Sequence, residues 1–139
     1  MKKVFALIAV LITALVISAC TTLVQKDADM EQVTGTLMYR ERIALPADAR
    51  ITVTLSDVSK MDAPAEVISR QSFLADGKQV PFAFELNFDR TEIDPRFTYA
   101  VSARIEVDGK LMFITDTANH VITDPQQTKK LELMLIRTR

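Results

Sequence analysis

Apolar and polar residues alternate with a period of two over much of the chain, which is the pattern of half-buried β-strands. No segment after residue 20 carries a long apolar stripe with helical spacing, so the pattern predicts an all-β domain. The clearest apolar sets are Ile51, Val53 and Leu55; Val80, Phe82, Phe84, Leu86 and Phe88; and Tyr99, Val101, Ala103, Ile105 and Val107.

Turn residues divide the chain between these strands. Asp108-Gly109 tolerates the positive φ of a two-residue turn, so residues 97–115 are predicted to form a hairpin, and Asp76-Gly77 is a second such turn. Pro81 opens a strand and indicates a sheet edge. Short helical turns are expected within 94–96 or 119–127. The sequence favours a single small β-sandwich of about seven mostly antiparallel strands, with a small barrel as the alternative.

The first nineteen residues have the order of a secretory signal peptide. Two lysines precede an apolar stretch over residues 4–17, and small residues follow it up to Ala19. A membrane span needs about 20 apolar residues, so this stretch is short for one. We therefore expect residues 1–19 to be cleaved.

Cys20 is the only cysteine of the chain and directly follows the small residues. The segment Ile17-Ser18-Ala19-Cys20 resembles the bacterial lipobox, whose cysteine is lipidated and becomes the new N-terminus. The alternative is an ordinary signal peptide that happens to contain a cysteine. Thr21, in place of aspartate, resembles the pattern sent to the outer membrane. Two or more acyl chains anchor stably, so we expect membrane attachment through Cys20, a tether to residue 32 and a domain over residues 33–139.

Composition and charge exclude several classes of function. The 139 residues carry a net charge of −1, or −3 after removal of residues 1–19, and the scattered signs give no footprint for nucleic acid. His120 is the single histidine, and three glycines are too few for a phosphate loop. The sequence thus indicates no cofactor, metal site or catalytic residue. Glu85, Glu106 and Glu132 would be the carboxylates of a glycan-acting enzyme, which is our alternative hypothesis.

Two predicted strands, residues 111–114 and 131–136, are apolar at both parities. If Leu111, Phe113 and residues 131, 133 and 135 face the core, the intervening side chains face outward. Burial of both faces, for example under residues 119–127, is one explanation. An adaptable, methionine-rich binding surface is the other. The candidate partner-binding residues are Met38, Met112, Ile114, Met134 and Ile136.

Several segments together resemble one family of bacterial lipoproteins. They are Gly35-Thr36 and residues 42–49, 55–58, 62–65, 81–84 and 109–117. In this order they resemble the YbaY-type lipoproteins, which are grouped with the YscW lipoprotein chaperones, or pilotins, of type III secretion. The resemblance implies a β-sandwich on a lipid anchor, with Cys20 as the lipidation site. Pilotin members help a secretin subunit to reach and assemble in the outer membrane.

These observations lead to three hypotheses. The first is a lipid-anchored envelope protein, facing the periplasm from the outer membrane, whose domain binds an outer-membrane or secretion-system protein. It would bind through the apolar surface or by strand addition at an open sheet edge. The second is the glycan-acting enzyme, and the third is an anchored structural domain without a specific partner. An apolar binding surface favours the first, whereas two carboxylates facing each other across a cleft favour the second.

Overall fold

The computed structural model describes residues 29–60 and 62–138, which form an all-β domain. The predicted signal peptide and Cys20 lie outside these residues. Within the described ranges, no helix is long and apolar enough to cross a membrane. The strands are β1 (Met30–Tyr39), β2 (Arg50–Asp57), β3 (Glu66–Leu74), β4 (Phe82–Asp89), β5 (Tyr99–Val107), β6 (Lys110–Thr115), β7 (Asn119–Val121) and β8 (Lys130–Arg137).

The strands form one continuous sheet in the order β3-β2-β5-β6-β8-β1-β4, with β7 paired to the start of β5. Strands β1 and β8 run parallel, and the other pairs of described strands are antiparallel. The outermost strands β3 and β4 approach each other without a backbone ladder, so the sheet curves into a nearly closed barrel. The predicted all-β domain is confirmed, and both halves of the predicted sandwich belong to one sheet.

Side chains close the seam between β3 and β4. The backbone N–H of Glu85 donates to Oε1 of Gln71 at 2.8 Å, where a neighbouring strand would offer a carbonyl. Beside it, the rings of Phe73 and Phe82 meet edge to face, with 5.9 Å between their centroids. Because β4 pairs only with β1 among the described strands, the sheet edge that Pro81 indicated is confirmed.

The core consists of the inward-facing residues that the alternation predicted. In β5, for example, Tyr99, Val101, Ala103 and Ile105 are at most 2% exposed. A fully buried valine or isoleucine, such as Val101 or Ile105, contributes roughly 1.5–3 kcal/mol. Other core members are Val33, Leu37, Ile51, Val53, Leu55, Phe84, Leu86, Phe113, Leu133 and Leu135.

Both predicted aspartate–glycine turns adopt positive φ, but only one joins paired strands. Asp108 and Gly109, with φ of 51° and 78°, connect β5 to β6, which confirms the predicted hairpin. The turn at Asp76 instead binds the loop before β2, since its N–H donates to the carbonyl of Ala47 at 3.0 Å. The two strands that this turn joins pair with different neighbours, β3 with β2 and β4 with β1.

Two short segments differ from the expected helical turns. Residues 119–121 form strand β7, because they pair with the part of β5 that β6 does not reach. A 3-10 helix occurs at Arg90–Glu92, just before the predicted 94–96. Its start is fixed by Asp89, whose Oδ1 accepts a hydrogen bond from the N–H of Thr91 at 2.9 Å.

Strand β1 begins at Met30, so residues 30–32, which the sequence analysis placed in the tether, belong to the sheet. Glu31 holds these first residues of β1 in place. Its carboxylate contacts Nη1 of Arg90 at 3.4 Å and Nζ of Lys129 at 2.8 Å, which joins β1 to the segments beside it.

Candidate protein-binding surface

Strands β1, β8 and β6 carry an apolar surface on the outside of the barrel. Met38 of β1 is the register partner of Met134 of β8, and Ile136 of β8 is the partner of Ile114 of β6. Register partners point to the same face of a sheet. The four side chains Met38, Ile114, Met134 and Ile136 are therefore contiguous, and we call them the outer apolar patch.

Three members of the patch are substantially exposed. Met38, Met134 and Ile136 expose 37%, 38% and 44% of their surface, whereas Ile114 is half-buried. Residues 119–127, which could have covered this face, lie elsewhere in the structure. That segment pairs with β5, and its Thr123 hydroxyl donates to the carbonyl of Phe97 at 2.7 Å. Exposed apolar side chains in contact with one another are typical of interaction sites.

Met112, the fifth predicted residue, is placed differently from the prediction. A β-bulge between Ile105 and Glu106 makes Leu111 the partner of Glu106, while Met112 has no direct partner. The extra residue reverses the parity, so Leu111 is 39% exposed and Met112 packs against the core. Thr138, just after β8, completes the bulge, since its N–H donates to the carbonyl of Met112 at 2.8 Å.

A rigid layer lies beneath the patch. Tyr39 stacks on Phe113 with 4.0 Å between ring centroids and 8° between planes. The Tyr39 hydroxyl donates to the carbonyl of Ile43 at 2.6 Å. Burial, and then the nearby carboxylate of Glu41, raise the pKa of Tyr39 above its ordinary value, so the hydroxyl stays protonated as a donor. The patch therefore rests on fixed aromatic side chains.

A groove of about 300 Å³ adjoins the patch on the outer face of β3, β2 and β5. Hydroxyl residues, two arginines and apolar side chains line it, and Ile114 of the patch is one of the apolar ones. Sequence reasoning missed this groove, although the alternating hydroxyl residues of β2 were its visible signal. The lining includes Thr52, Thr54, Ser56, Ser102, Arg70 and Arg104.

The carboxylates considered for catalysis do not converge. Glu85 lies on β4, Glu106 on β5 and Glu132 on β8, and intervening strands separate all three. Glu106 is also ion-paired, with 2.9 Å from its Oε1 to Nε of Arg104. His120 is exposed on β7. In the described part of the chain, no group of three or more His, Cys, Asp or Glu residues could hold a metal ion.

Comparison with known proteins gives the family. The family model of the type III secretion system lipoprotein chaperone YscW matches residues 28–133. The chain belongs to the YscW family. Within it, the chain is 44% identical over 112 residues to the uncharacterized lipoprotein YbaY of Escherichia coli (strain K12). That match covers 81% of the chain and 58% of the relative, so the chain spans under two thirds of the relative's length.

A solved structure supports the fold of this YscW-family member. The structure of an alternative pilotin from the type II secretion system of Vibrio cholerae matches with a TM-score of 0.77 and 55% sequence identity. The match covers 79% of this chain and 98% of the pilotin chain. The family resemblance seen in the sequence is thus confirmed. The matches are to a family of lipoprotein chaperones, to one lipoprotein and to one pilotin.

Proposed function

We propose that this protein is a lipid-anchored, pilotin-like assembly factor that binds a protein subunit of an envelope secretion system. It acts as a binding module without catalysis. The observation that carries the proposal is the outer apolar patch, because a family of lipoprotein chaperones needs a surface for a client and this patch is exposed. Membership of the YscW family and the similarity to a type II secretion pilotin support the class of partner.

The proposed anchor is Cys20, with residues 1–19 removed as a signal peptide. Lipidation at Cys20 would attach the protein to the outer membrane with the domain in the periplasm. Cys20→Ser is expected to abolish labelling by radioactive palmitate and to release the protein from membranes on fractionation. Retention of an unlabelled Cys20→Ser protein in the membrane fraction would overturn this part of the proposal.

The position of the patch suits a partner away from the anchoring membrane. Strand β1 begins at Met30, on the side where the chain arrives from Cys20, and Met38 lies eight residues further along. At roughly 3.3 Å per residue, the patch is about 26 Å from the start of the strand. Flexible, polarisable methionines also fit partners of differing shape. The patch therefore lies toward the end of β1 opposite the one that follows Cys20 in the chain.

The proposal is tested by photocrosslinking in intact cells. A photoreactive amino acid replaces Met134 in the patch or, as a control, the exposed Asn87 on the outer face of β4. We expect a discrete adduct from position 134 that contains a secretion-system subunit, and none from position 87. Adducts containing only lipids and abundant porins would favour an anchored domain without a specific partner.

A charge placed in the patch tests the same surface without a crosslinker. Met134→Glu is expected to abolish assembly of the crosslinked subunit while leaving the fold intact, because the side chain is 38% exposed. Surface substitutions usually change stability by no more than about 0.5 kcal/mol. Circular dichroism of the variant checks the fold, and a collapse of its melting transition would show that this face is core.

A further inference from the structure

The groove beside the outer apolar patch is built by the register of three strands. Thr54 of β2 lies opposite Arg70 of β3 and Ser102 of β5, and Thr52 lies opposite Arg104 of β5. These side chains share the outer face, so two guanidinium groups stand on either side of a floor of hydroxyl groups. We call this surface the arginine groove.

The charge of the arginine groove is compensated at Arg104 and not at Arg70. Within the described ranges, the guanidinium of Arg70 has no ion pair and no side-chain hydrogen bond. Arg104 contacts Glu106 through Nε, at 2.9 Å, which leaves its terminal nitrogens available. The groove-lining residues include no carboxylate. On a chain of net charge −1, this is a local positive site, and arginine with hydroxyl donors suits carboxylate ligands.

The arginine groove is continuous with the outer apolar patch. Ile114 belongs to both, because it is the register partner of Arg104 on one side and of Ile136 on the other. From Arg70 to Met134 this surface crosses the five strands β3, β2, β5, β6 and β8. At about 4.8 Å per strand spacing this part is roughly 19 Å wide, which is the length of about six extended residues.

We propose that this combined surface binds an acidic and apolar segment of the client protein. Its carboxylates contact Arg70 and Arg104, and its apolar side chains cover Ile114, Ile136 and Met134. This inference rests on the proposed function and adds the chemistry of the recognised segment. Charge complementarity, the shared Ile114 and the matching length support a peptide as the occupant.

Peptide binding tests the proposal with the full lipidated chain in phosphatidylcholine nanodiscs. The probes are fluorescein-labelled hexapeptides with three leucines and three glutamates in either order, and the same peptides with glutamine in place of glutamate. In one of the two residue orders, we expect the glutamate peptide to bind about tenfold more tightly than its glutamine counterpart. The gain comes from two partly exposed charge pairs between the peptide carboxylates and the two arginines. The difference should shrink in 0.5 M salt, which shortens the Debye length to roughly 4–5 Å.

Matched variants assign the effect to the groove. Arg70→Glu/Arg104→Glu is expected to remove the glutamate preference, whereas Arg42→Glu/Lys78→Glu makes the same charge change at exposed positions elsewhere and should preserve it. Should the first variant fail to fold, the neutral Arg70→Gln/Arg104→Gln replaces it. Equal binding of both peptide types, or an unchanged preference in the groove variant, overturns the proposal.

Two further outcomes separate this inference from its alternatives. If phosphatidylglycerol vesicles bind in an Arg70- and Arg104-dependent manner and the glutamate peptides do not, the groove binds lipid and the proposal is wrong. If position 134 still crosslinks to a secretion subunit in the groove variant as strongly as in the unaltered protein, the inference fails while the proposed function stands. Loss of that crosslink in the groove variant, but not in Arg42→Glu/Lys78→Glu, supports both the inference and the proposed function.

Discussion

Gly35 is the residue at which a single methyl group should do the most damage. It lies in β1 between Leu131 of β8 and Phe84 of β4. A Cβ at this position would be 1.8 Å from the carbonyl oxygen of Leu131 and 3.0 Å from Cζ of Phe84. Carbon and oxygen normally approach no closer than about 3.3 Å. In Gly35→Ala, strands β1 and β8 must therefore separate by roughly 1.5 Å.

The loss in free energy of unfolding follows from the contacts that this separation breaks. About two backbone hydrogen bonds between β1 and β8 would be lost, at roughly 1 kcal/mol each. Displacement of the buried neighbours Val33 and Leu37 adds roughly 1–2 kcal/mol, as in overpacked cores. We expect the free energy of unfolding of Gly35→Ala to fall by about 3–4 kcal/mol. For a domain of this size the melting temperature falls by roughly 12–20 °C.

Thermal unfolding of the full chain in detergent, followed by circular dichroism, measures this effect. Gly109→Ala is the control, because a Cβ there meets nothing within 4 Å and only the positive φ of 78° opposes it. That strain costs roughly 1–2 kcal/mol, so the control should melt well above Gly35→Ala. A Gly35→Ala protein that melts with or above the control would refute the close parallel pairing of β1 and β8.

Two other predictions concern the bulge and an aspartate. Met112→Ala should lower the free energy of unfolding by about 1–2 kcal/mol, because Met112 packs against the core. Leu111→Ala should lower it by less than about 0.5 kcal/mol. Urea unfolding measures both, and the reverse order would contradict the bulge. The side-chain and then the backbone hydrogen bonds from Arg96 lower the pKa of Asp94 to about 2. This carboxylate's stabilising contribution is therefore fully present above about pH 4 and is lost as the pH falls through 2. A carbon-13 NMR titration should find the Asp94 midpoint near pH 2, and a midpoint near 4 would rule out the Arg96 contacts.

The sequence predicted the strands well because alternation records which face of a strand is buried. The buried sets of β2, β4 and β5 are those that the period of two selected. Which strands pair was harder to predict from the sequence, since pairing depends on contacts between residues that are distant along the chain. The parallel ladder of β1 and β8 and the separation of β3 from β4 arise in this way, and the turn at Asp76 has the same local chemistry as the hairpin turn at Asp108.

The candidate site was predicted in part for the same physical reason. Met38, Ile114 and Met134 fall on the expected outer face, whereas a one-residue bulge in the β5–β6 hairpin reverses Met112 and Leu111. No local pattern marks such a bulge, because it is set by the pairing of β6 with β8 and by Thr138. The arginine groove needs three strands in register, so the alternating hydroxyl residues of β2 could indicate its floor but not the two arginines beside it.

The placement of β1 has a mechanical consequence. Ladders hold this strand on both sides, to β4 over residues 30–37 and to β8 over residues 34–39. Hydrogen bonds between strands run largely across the strand direction. A force applied at Met30 along β1 therefore loads them together in shear and does not open them one by one. If the membrane holds one end of this strand and a client the outer apolar patch near the other, tension between them passes through a strand that is paired on both sides.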